Sequence, residues 1–331
     1  MQSPDEDSRP MTVAVEVSAY RGGTYEEASF LDFVLGSLAE SAYVSAAWTT
    51  RRLGASAPSG LPVARGVRGP IAERLGAMGA ALPLSWASPS ATVRHLASGP
   101  RNLRLAPRSV VTVHRVQGAH GLQRDAPGSR AIESLRRAAG KGVVIHAVTQ
   151  QLADALIERV QVDRSAVVVA HPGVAWLPPA PGSSEPGIPK VAVLASGERE
   201  LELDVAILDG LLATGLVSAV LEDSPSRLRW DCIVIGRTDE GFPAAAIEAL
   251  GAGMPVVAAR TPTTTELLGG SACLVDKGVV TDFVEAAVDT ASNESARAVA
   301  VAAGRARAAD FTWARRVGDL KALYLRAQRV R

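Results

Sequence analysis

The chain has 331 residues, 47% of them hydrophobic, and its 35 Lys and Arg nearly balance its 34 Asp and Glu. This composition suits a globular protein of two domains with buried cores. It excludes a membrane span, since no apolar stretch approaches ~20 residues, and residues 1–10 predict a disordered polar tail without signal-peptide character.

Charge and cysteine content narrow the classes of partner. Residues 41–142 carry 15 Lys and Arg against 3 Asp and Glu, whereas residues 190–310 carry 10 against 18. The basic half predicts either a plain solvated surface or a face for an anionic acceptor or a membrane surface. We expect no nucleic-acid partner, because no binding motif or aromatic-basic interleaving is present. Cys232 and Cys273 lie in apolar strand-like runs, and we expect buried, reduced thiols in a cytoplasmic protein.

The first half of the chain alternates strand and helix patterns. Residues 11–20 predict a first strand, and Gly22 and Gly23 begin a loop that leads into an amphipathic helix. The further predicted strands lie at 43–50, 109–114, 143–150 and 165–170, with helices at 130–142 and 150–160 between the later ones. This order predicts a doubly wound α/β domain over residues 11–175.

The second half repeats the pattern after a break. Residues 176–189 are rich in Pro, Gly and Ser and predict a linker. A second, smaller α/β domain is predicted over residues 190–311, and residues 312–331 form a final helix.

One stretch of the second domain, EGFPAAAIEALGAGMPVVAA (240–259), places a tight loop and a short helix between two strands. Pro243 suits the first position of that helix. In an open parallel sheet such loops lie at the carboxyl edge, where ligands bind, and a helix start favours phosphate. Glu240 lies on the loop, and Glu248 leans back toward it from the helix. Because a carboxylate repels an anion, we expect both to accept hydrogen bonds from hydroxyls, which suggests a sugar nucleotide.

These pieces, in this order and spacing, resemble the family 4 glycosyltransferases, which are retaining enzymes. The resemblance is firmest from Trp230 to Tyr324 and looser back to Val110. The resembling segments are VVTVHRV (110–116), 147–174, 240–259, TTTELLGGSACLVD (263–276) and 304–324. The resemblance implies an α/β fold of the GT-B type, with two Rossmann-like doubly wound domains facing a cleft. Residues 312–331 would then be a closing helix that crosses back to the N-terminal domain.

The resemblance also implies roles for matching positions. His114 and Glu240 would be catalytic residues, and Gly22 and Gly23 would form an acceptor-side loop. The donor-binding residues would be Gly241, Phe242, Glu248, Thr264, Thr265 and Glu266. The reaction would move a sugar from a nucleotide-sugar donor to a hydroxyl acceptor with retention of configuration. No metal or other cofactor would be needed.

Structural interpretations of the same residues stay open beside these roles. Glu248 would otherwise be a surface helix residue with an Arg partner, and His114 a satisfied structural histidine. Gly22 and Gly23 would be only a tight turn. We expect His120 and His171 to be plain loop residues, and Phe311 and Trp313 to be core residues beside the last helix.

Two features depart from the family pattern. With Asp204 as the register mark, Ser196 and Leu201 stand where the resemblance predicts an Arg and a Lys that clamp the diphosphate, and Arg199 is the nearby substitute in donor binding. Hydrogen bonds to charged groups contribute about 1.5–3 kcal/mol each, so losing two costs ~3–6 kcal/mol. The chain before Glu240 also predicts that one strand and one helix are missing, with residues 224–230 as a short helix in their place.

Two functions therefore stand side by side. The first is an active glycosyltransferase of cell-envelope polysaccharide, glycolipid or natural-product assembly, working at or near the inner face of the membrane on a hydroxyl acceptor. The second is a catalytically weak or inactive homologue that acts as a binding or structural subunit, with a partner glycosyltransferase or a glycan as its ligand.

Overall fold

The computed structural model of the chain describes residues 11–16, 25–39, 44–48, 91–97, 107–116, 127–174, 187–195, 201–222, 230–236, 241–276 and 278–330. The chain divides into two compact units. Unit 1 comprises residues 1–173 and 316–331, and unit 2 comprises residues 174–315. Most of the predicted linker, 176–189, lies outside the described residues.

Unit 1 is built on a parallel sheet whose strands run in the order β2-β1-β3-β4-β5-β6. Apolar strand residues such as Val15, Val93 and Ile145 are buried, as expected for strands with both faces covered. The strands are β1 (Thr12–Glu16), β2 (Val44–Trp48), β3 (Val93–Leu96), β4 (Ser109–Val113), β5 (Val144–Ala147) and β6 (Val167–Val169). The helices are α1 (Tyr25–Ala39), α2 (Pro127–Ala139) and α3 (Gln150–Glu158), with a 3₁₀ turn at Arg164–Ala166.

Unit 2 is built on a second parallel sheet, in the order β11-β10-β9-β7-β8. Its strands are β7 (Lys190–Leu194), β8 (Ser218–Glu222), β9 (Cys232–Ile235), β10 (Val256–Ala259) and β11 (Cys273–Val275). Its helices are α4 (Leu201–Thr214), α5 (Ala244–Ala252), α6 (Pro262–Leu267), α7 (Val280–Ser292) and α8 (Glu294–Ala308), with 3₁₀ turns at Gly269–Ser271 and Ala309–Phe311. The last helix, α9 (Trp313–Gln328), begins in unit 2 and continues in unit 1.

The core of unit 2 lies between its sheet and helices α4 and α7. Val191, Val234 and Val257 from three strands meet Ile207 of α4 and Phe283 of α7 in one buried cluster. On α5 the side chains are buried almost throughout, because α8 packs against it closely. A Cβ built on Gly304 of α8 would lie 2.8 Å from a methyl carbon of Leu250. Glycine therefore sets the distance between α5 and α8.

These observations confirm the predicted α/β class with two parallel sheets, and they correct two details. Pro243 is the N-cap of α5 rather than its first helical residue. Cys232 is buried as predicted, but Cys273 is exposed because β11 is an edge strand. Within the described residues, no helix is both long and apolar enough to cross a membrane.

Candidate functional site

The order of strands in unit 2 places a ligand-binding crevice at a definite point of its sheet. From β7 the chain moves outward to β8 and then returns to the other side of β7 to form β9. Ligands of open α/β sheets bind where the strand order reverses, outside the carboxyl ends of the strands. The loops that follow β7 and β9 border this point, and the second of them leads into α5.

The start of α5 presents its backbone toward that edge. Gly241 and Phe242 are buried just before the helix, and the N-cap residue, Pro243, makes no side-chain cap hydrogen bond. The Ala244 N–H turns back to the Phe242 carbonyl at 2.9 Å, and the Ile247 N–H reaches the Pro243 carbonyl at 3.1 Å. An uncapped helix start offers N–H donors and the positive end of the helix dipole, which together suit an anion.

Glu248 lies on α5, one turn beyond this start. Its relative exposure is only 3%, so the alternative that it is a surface helix residue is wrong. A carboxylate is rarely buried without a function or a strong set of partners, because removing it from water costs free energy. Helical side chains lean toward the N-terminus, which directs Glu248 back to the carboxyl edge of the sheet.

Phe242, which immediately precedes the N-cap of α5, is supported by an aromatic ring and a cation. The Phe242 ring packs edge-on against Phe311 at 5.8 Å between centroids, and the Arg307 guanidinium lies 5.1 Å from the Phe311 ring centre. Arg307 also donates to the carbonyls of Leu267 and Glu266, at 2.8 and 2.9 Å, and so caps the end of α6. Phe311 is a core residue as predicted. The role of Arg307 in capping α6 was missed, because the two carbonyls that it bonds lie about 40 residues away.

The threonines after β10 form a self-contained turn. Thr261 and Thr264 build a capping box at the start of α6, with bonds of 2.9 and 3.0 Å between the backbone N–H of each and the other's hydroxyl. Thr264 gives its one hydroxyl proton to the Ala259 carbonyl at 2.6 Å. Thr265 is exposed and Glu266 is half-buried. Of these positions, Thr265 and Glu266 therefore present side chains more readily to a ligand than Thr264.

The start of α4 borders the other side of the crevice. Asp204 is fully buried there, and a Cβ built on Gly236 at the end of β9 would lie 2.9 Å from its Oδ1. In the sequence Asp204 was only a register mark, although a charged residue inside an apolar helix face is a detectable signal. Leu201, the first residue of α4, is exposed and carries no charge for a phosphate.

The sheet of unit 1 has its own reversal of strand order, between β1 and β3. His114 directly follows β4 and is 8% exposed. Its Nε2 donates to the Ala97 carbonyl at 2.7 Å, just beyond the end of β3, and its ring packs edge-on against Phe30. The predicted histidine therefore lies at the carboxyl edge of this sheet beside the reversal point.

Phe30 also covers a buried polar chain that crosses the same sheet. Tyr324 of α9 lies 2.9 Å from His95 Nδ1, and His95 Nε2 lies 2.7 Å from the Thr112 hydroxyl. That hydroxyl lies 2.9 Å from His146 Nδ1, and His146 Nε2 lies 2.7 Å from the Ala170 carbonyl. Parallel pairing brings Thr112 beside His146, so the chain follows the strand register.

The direction of every hydrogen bond in this chain follows from its last acceptor. A carbonyl only accepts, so His146 Nε2 carries the proton. Burial lowers the pKa of His146 to about 4, so the ring is neutral and Nδ1 accepts from Thr112. Thr112 has no second proton and accepts from His95 Nε2. Burial holds the pKa of His95 well below its usual value, so its Nδ1 accepts from Tyr324. Both rings are fixed as Nε2–H tautomers, and α9 is tied to the sheet.

Several predicted positions lie outside the described residues. They are Gly22, Gly23, His120, Ser196, Arg199, Glu240 and, apart from Trp230, the predicted short helix at 224–230. Their roles stay predictions. His171 is described, and its Nδ1 donates to the Val148 carbonyl at 3.1 Å. In the part of the chain that the structure describes, no three His, Cys, Asp or Glu side chains form a group that would hold a metal ion.

Comparisons with known proteins agree on the fold. No protein-family model and no curated protein sequence matches the chain. Anabaena HepE in complex with UDP-glucose is similar with a TM-score of 0.68 and 14% identity, over 94% of this chain and 99% of that one. Sucrose-phosphate synthase from Thermosynechococcus elongatus is similar with a TM-score of 0.66 and 15% identity, over 95% of this chain and 98% of that one.

A glycosyltransferase from Rickettsia africae gives a TM-score of 0.64 at 12% identity, over 97% of this chain and 99% of that one. Such similarity along nearly the whole of each chain shows that the protein has the GT-B fold. The identities are too low to carry more than the fold.

Proposed function

We propose that the protein is a retaining glycosyltransferase that moves a sugar from a nucleotide-sugar donor to a hydroxyl acceptor. The observation that carries the proposal is the buried Glu248 carboxylate, one turn beyond an uncapped helix start at the carboxyl edge of the unit 2 sheet. This pairing of an anion-binding backbone with a hydroxyl acceptor matches a ligand that carries both phosphate and sugar. HepE, which has a similar fold, was solved with UDP-glucose.

Each element of the site would take one part of the donor. The first-turn N–H groups of α5 would face the diphosphate, because they cost no reorganisation and need no metal. Glu248 would accept hydrogen bonds from ribose hydroxyls, and Glu240 would contact the sugar from its loop. Thr265 and Glu266, at the neighbouring helix start, are the next candidates for donor contacts.

The role proposed for His114 is a polar contact with a sugar hydroxyl. Its Nε2 proton is directed at the Ala97 carbonyl, which fixes the orientation of the ring. In a neutral ring Nδ1 is then a hydrogen-bond acceptor, which suits a sugar hydroxyl better than a phosphate. We propose that His114 orients the reacting sugar, while the bond from the sugar carbon to the diphosphate oxygen breaks, a bond to the acceptor oxygen forms, and the acceptor's hydroxyl proton passes to the departing diphosphate.

One observation favours the alternative function of a weak or inactive homologue that acts as a binding subunit. Leu201 begins α4 beside the crevice and is apolar and exposed, where a phosphate-binding cation is expected. Such a site would depend more on backbone N–H groups, with Arg199 as the remaining candidate cation. In either case we propose a cytoplasmic protein whose basic N-terminal half faces an anionic acceptor or membrane surface.

Calorimetric titration with UDP-, GDP-, ADP- and dTDP-sugars tests the proposal. We expect one donor to bind, and Glu248→Gln to weaken it by about tenfold to a hundredfold, since hydrogen bonds to a charged group contribute about 1.5–3 kcal/mol. Glu285→Gln, on the exposed face of α7, is the matched control and should bind like the parent. No binding across the panel by a folded protein would favour the subunit function. Equal binding by the Glu248 variant would overturn the site.

A further inference from the structure

The outer edge of unit 2 carries a strip of exposed apolar side chains. Seven of the ten exposed large hydrophobic residues of the described chain lie there, with exposures between 37% and 63%. They are Ile188, Leu201, Val205, Leu212, Leu216, Val220 and Leu221. Single exposed hydrophobics need no explanation, but here five of the seven side chains lie on one helix and the strand beside it, α4 and β8, which makes this edge a candidate interaction surface.

The helical part of the strip is one face of α4. Leu201, Val205 and Leu212 follow the spacing i, i+4, i+11, and the half-buried Leu208 completes the stripe at i+7. The opposite flank of α4 packs on α7, since a Cβ built on Gly210 would lie 2.7 Å from Val284. The stripe therefore faces away from α7, toward the side of the sheet where β8 lies.

The strand part of the strip is the edge strand β8. Its inner side pairs with β7, where the Ser218 N–H donates to the Pro189 carbonyl and the Glu222 carbonyl accepts from Ala195. Strand residues alternate, so the N–H and C=O groups of Ala219 and Leu221 point outward. Among the described residues, no strand pairs with that side. An open edge beside an apolar helix face is a template for another strand and helix.

We infer that this edge binds a second copy of the same chain, with the two β8 strands antiparallel about a two-fold axis and the two α4 stripes in contact. Centring the axis on Val220 places Ala219 of one copy opposite Leu221 of the other. These are the residues whose backbone groups point outward, so each such pair exchanges two hydrogen bonds. On that face of the strands, the small Ala219 side chain of each copy lies opposite the large Leu221 side chain of the other. Such a pairing is self-complementary, as a two-fold interface requires.

Charge favours the antiparallel arrangement. In it, Glu222 of one copy lies opposite Ser218 of the other, whereas parallel pairing in register would oppose two Glu222 carboxylates. On α4, Glu202 and Asp209 lie on the solvent side of the stripe. Antiparallel α4 helices also bring Leu201 of one copy toward Leu212 of the other, at the far ends of the stripe.

The area of the strip is sufficient for a specific but modest interface. A fully exposed Val or Leu side chain offers roughly 100 Å² of apolar surface, so seven at about half exposure present roughly 350 Å² per copy. With an apolar share of about 60%, the buried surface is roughly 600 Å² per copy. The total of roughly 1,200 Å² exceeds the ~1,000 Å² expected of a biological interface. We therefore expect micromolar self-association.

Sedimentation equilibrium of the full chain across the micromolar range tests this inference. The parent protein should be a dimer at the upper concentrations. Val220→Lys should raise the dimer Kd by about a hundredfold, because it places like charges opposite each other at the two-fold axis. Val299→Lys on α8 is the matched control, since Val299 is exposed and lies outside the strip. It should dimerise like the parent.

A charge-swap experiment isolates the symmetry. Val220→Lys and Val220→Glu should each be monomeric alone, and an equimolar mixture should recover a heterodimer. Thermal melts confirm that both variants fold. A parent chain that stays monomeric at high micromolar concentration overturns the inference. So does a dimer that the Val220 substitutions leave unchanged, or a mixture that fails to recover. None of these outcomes bears on donor binding, so the two proposals fail separately.

Discussion

Acid should destabilise unit 1 through its buried histidines. Burial lowers the pKa of His146 to about 4, although the hydrogen bond to Ala170 raises it in part, and burial lowers that of His95 in the same direction. The unfolded chain then takes up protons first as the pH falls below the ordinary histidine value. For each such histidine, the free energy of unfolding is therefore highest above pH ~6.5. Below that pH it falls by about 1.4 kcal/mol per pH unit until the folded-state pKa is reached.

The magnitude follows from His146 alone as a lower bound. Between pH ~7 and ~5 the free energy of unfolding should fall by about 2 kcal/mol, and near pH ~4 by about 3 kcal/mol. Hydrogen exchange measured by mass spectrometry, corrected for intrinsic rates, reports this for the peptides of β4 and β5. It separates unit 1 from unit 2, which a global melt does not.

Two variants distinguish the histidine from its surroundings. His146→Gln should lower stability at pH ~7 but reduce the pH dependence, because one of the two titrating rings is gone while His95 remains buried. Thr112→Val should lower stability by about 1–3 kcal/mol, because it leaves two buried histidine nitrogens without a partner. It should keep a slope, because both rings remain buried. A parent protein whose β4 and β5 peptides keep equal protection from pH ~7 to ~5 would refute the reasoning.

The remaining predictions concern packing and caps. Tyr324→Phe should cost about 1–3 kcal/mol in urea denaturation, because His95 Nδ1 loses its donor in a buried site. An unchanged free energy of unfolding would show that this hydrogen bond does not stabilise the fold. Gly304→Ala should cost about 1–3 kcal/mol despite its better helix propensity, since its Cβ meets the buried Leu250 at 2.8 Å, and a raised Tm would contradict this packing. Arg307→Met should lower Tm by several degrees, because a loss of about 1–2 kcal/mol accompanies the lost cap and ring contact, and an unchanged Tm would show that neither matters.

Much of the fold was readable from sequence because its signals are local. Runs such as Val191–Leu194 and Cys232–Ile235 are short, apolar and bounded by turns, which is typical of strands buried on both faces. The α5 segment was readable for the same reason. Glu248 interrupts a run of small apolar residues, but the sequence left open whether it is a surface residue, and only the structure shows that it is buried.

The polar chain of unit 1 could not be predicted, because its members share no local pattern. Thr112 and His146 are 34 residues apart, and His95 and Tyr324 are 229 apart. Only the strand order and the return of α9 bring them together. The same holds for the cap that Arg307 provides, because it donates to the carbonyl oxygens of Leu267 and Glu266, and carbonyls leave no trace in residue type. The expectation that Cys273 is buried was wrong for a related reason, since an apolar run does not reveal which strand lies at the edge of a sheet.

Leu201 connects the proposed donor site with the edge strand β8. It begins α4 beside the crevice, yet its exposed apolar side chain belongs to the stripe that faces the outer side of β8. A cationic side chain at this position would bind a phosphate, whereas an apolar interface favours an uncharged side chain. Among the described residues, no strand lies beyond β8, and Leu201 carries no charge. Both features are consistent with one change, in which this edge became an interface. The diphosphate would then depend on the backbone of α5, whose buried packing against α8 and the Phe242–Phe311 contact hold that backbone in place.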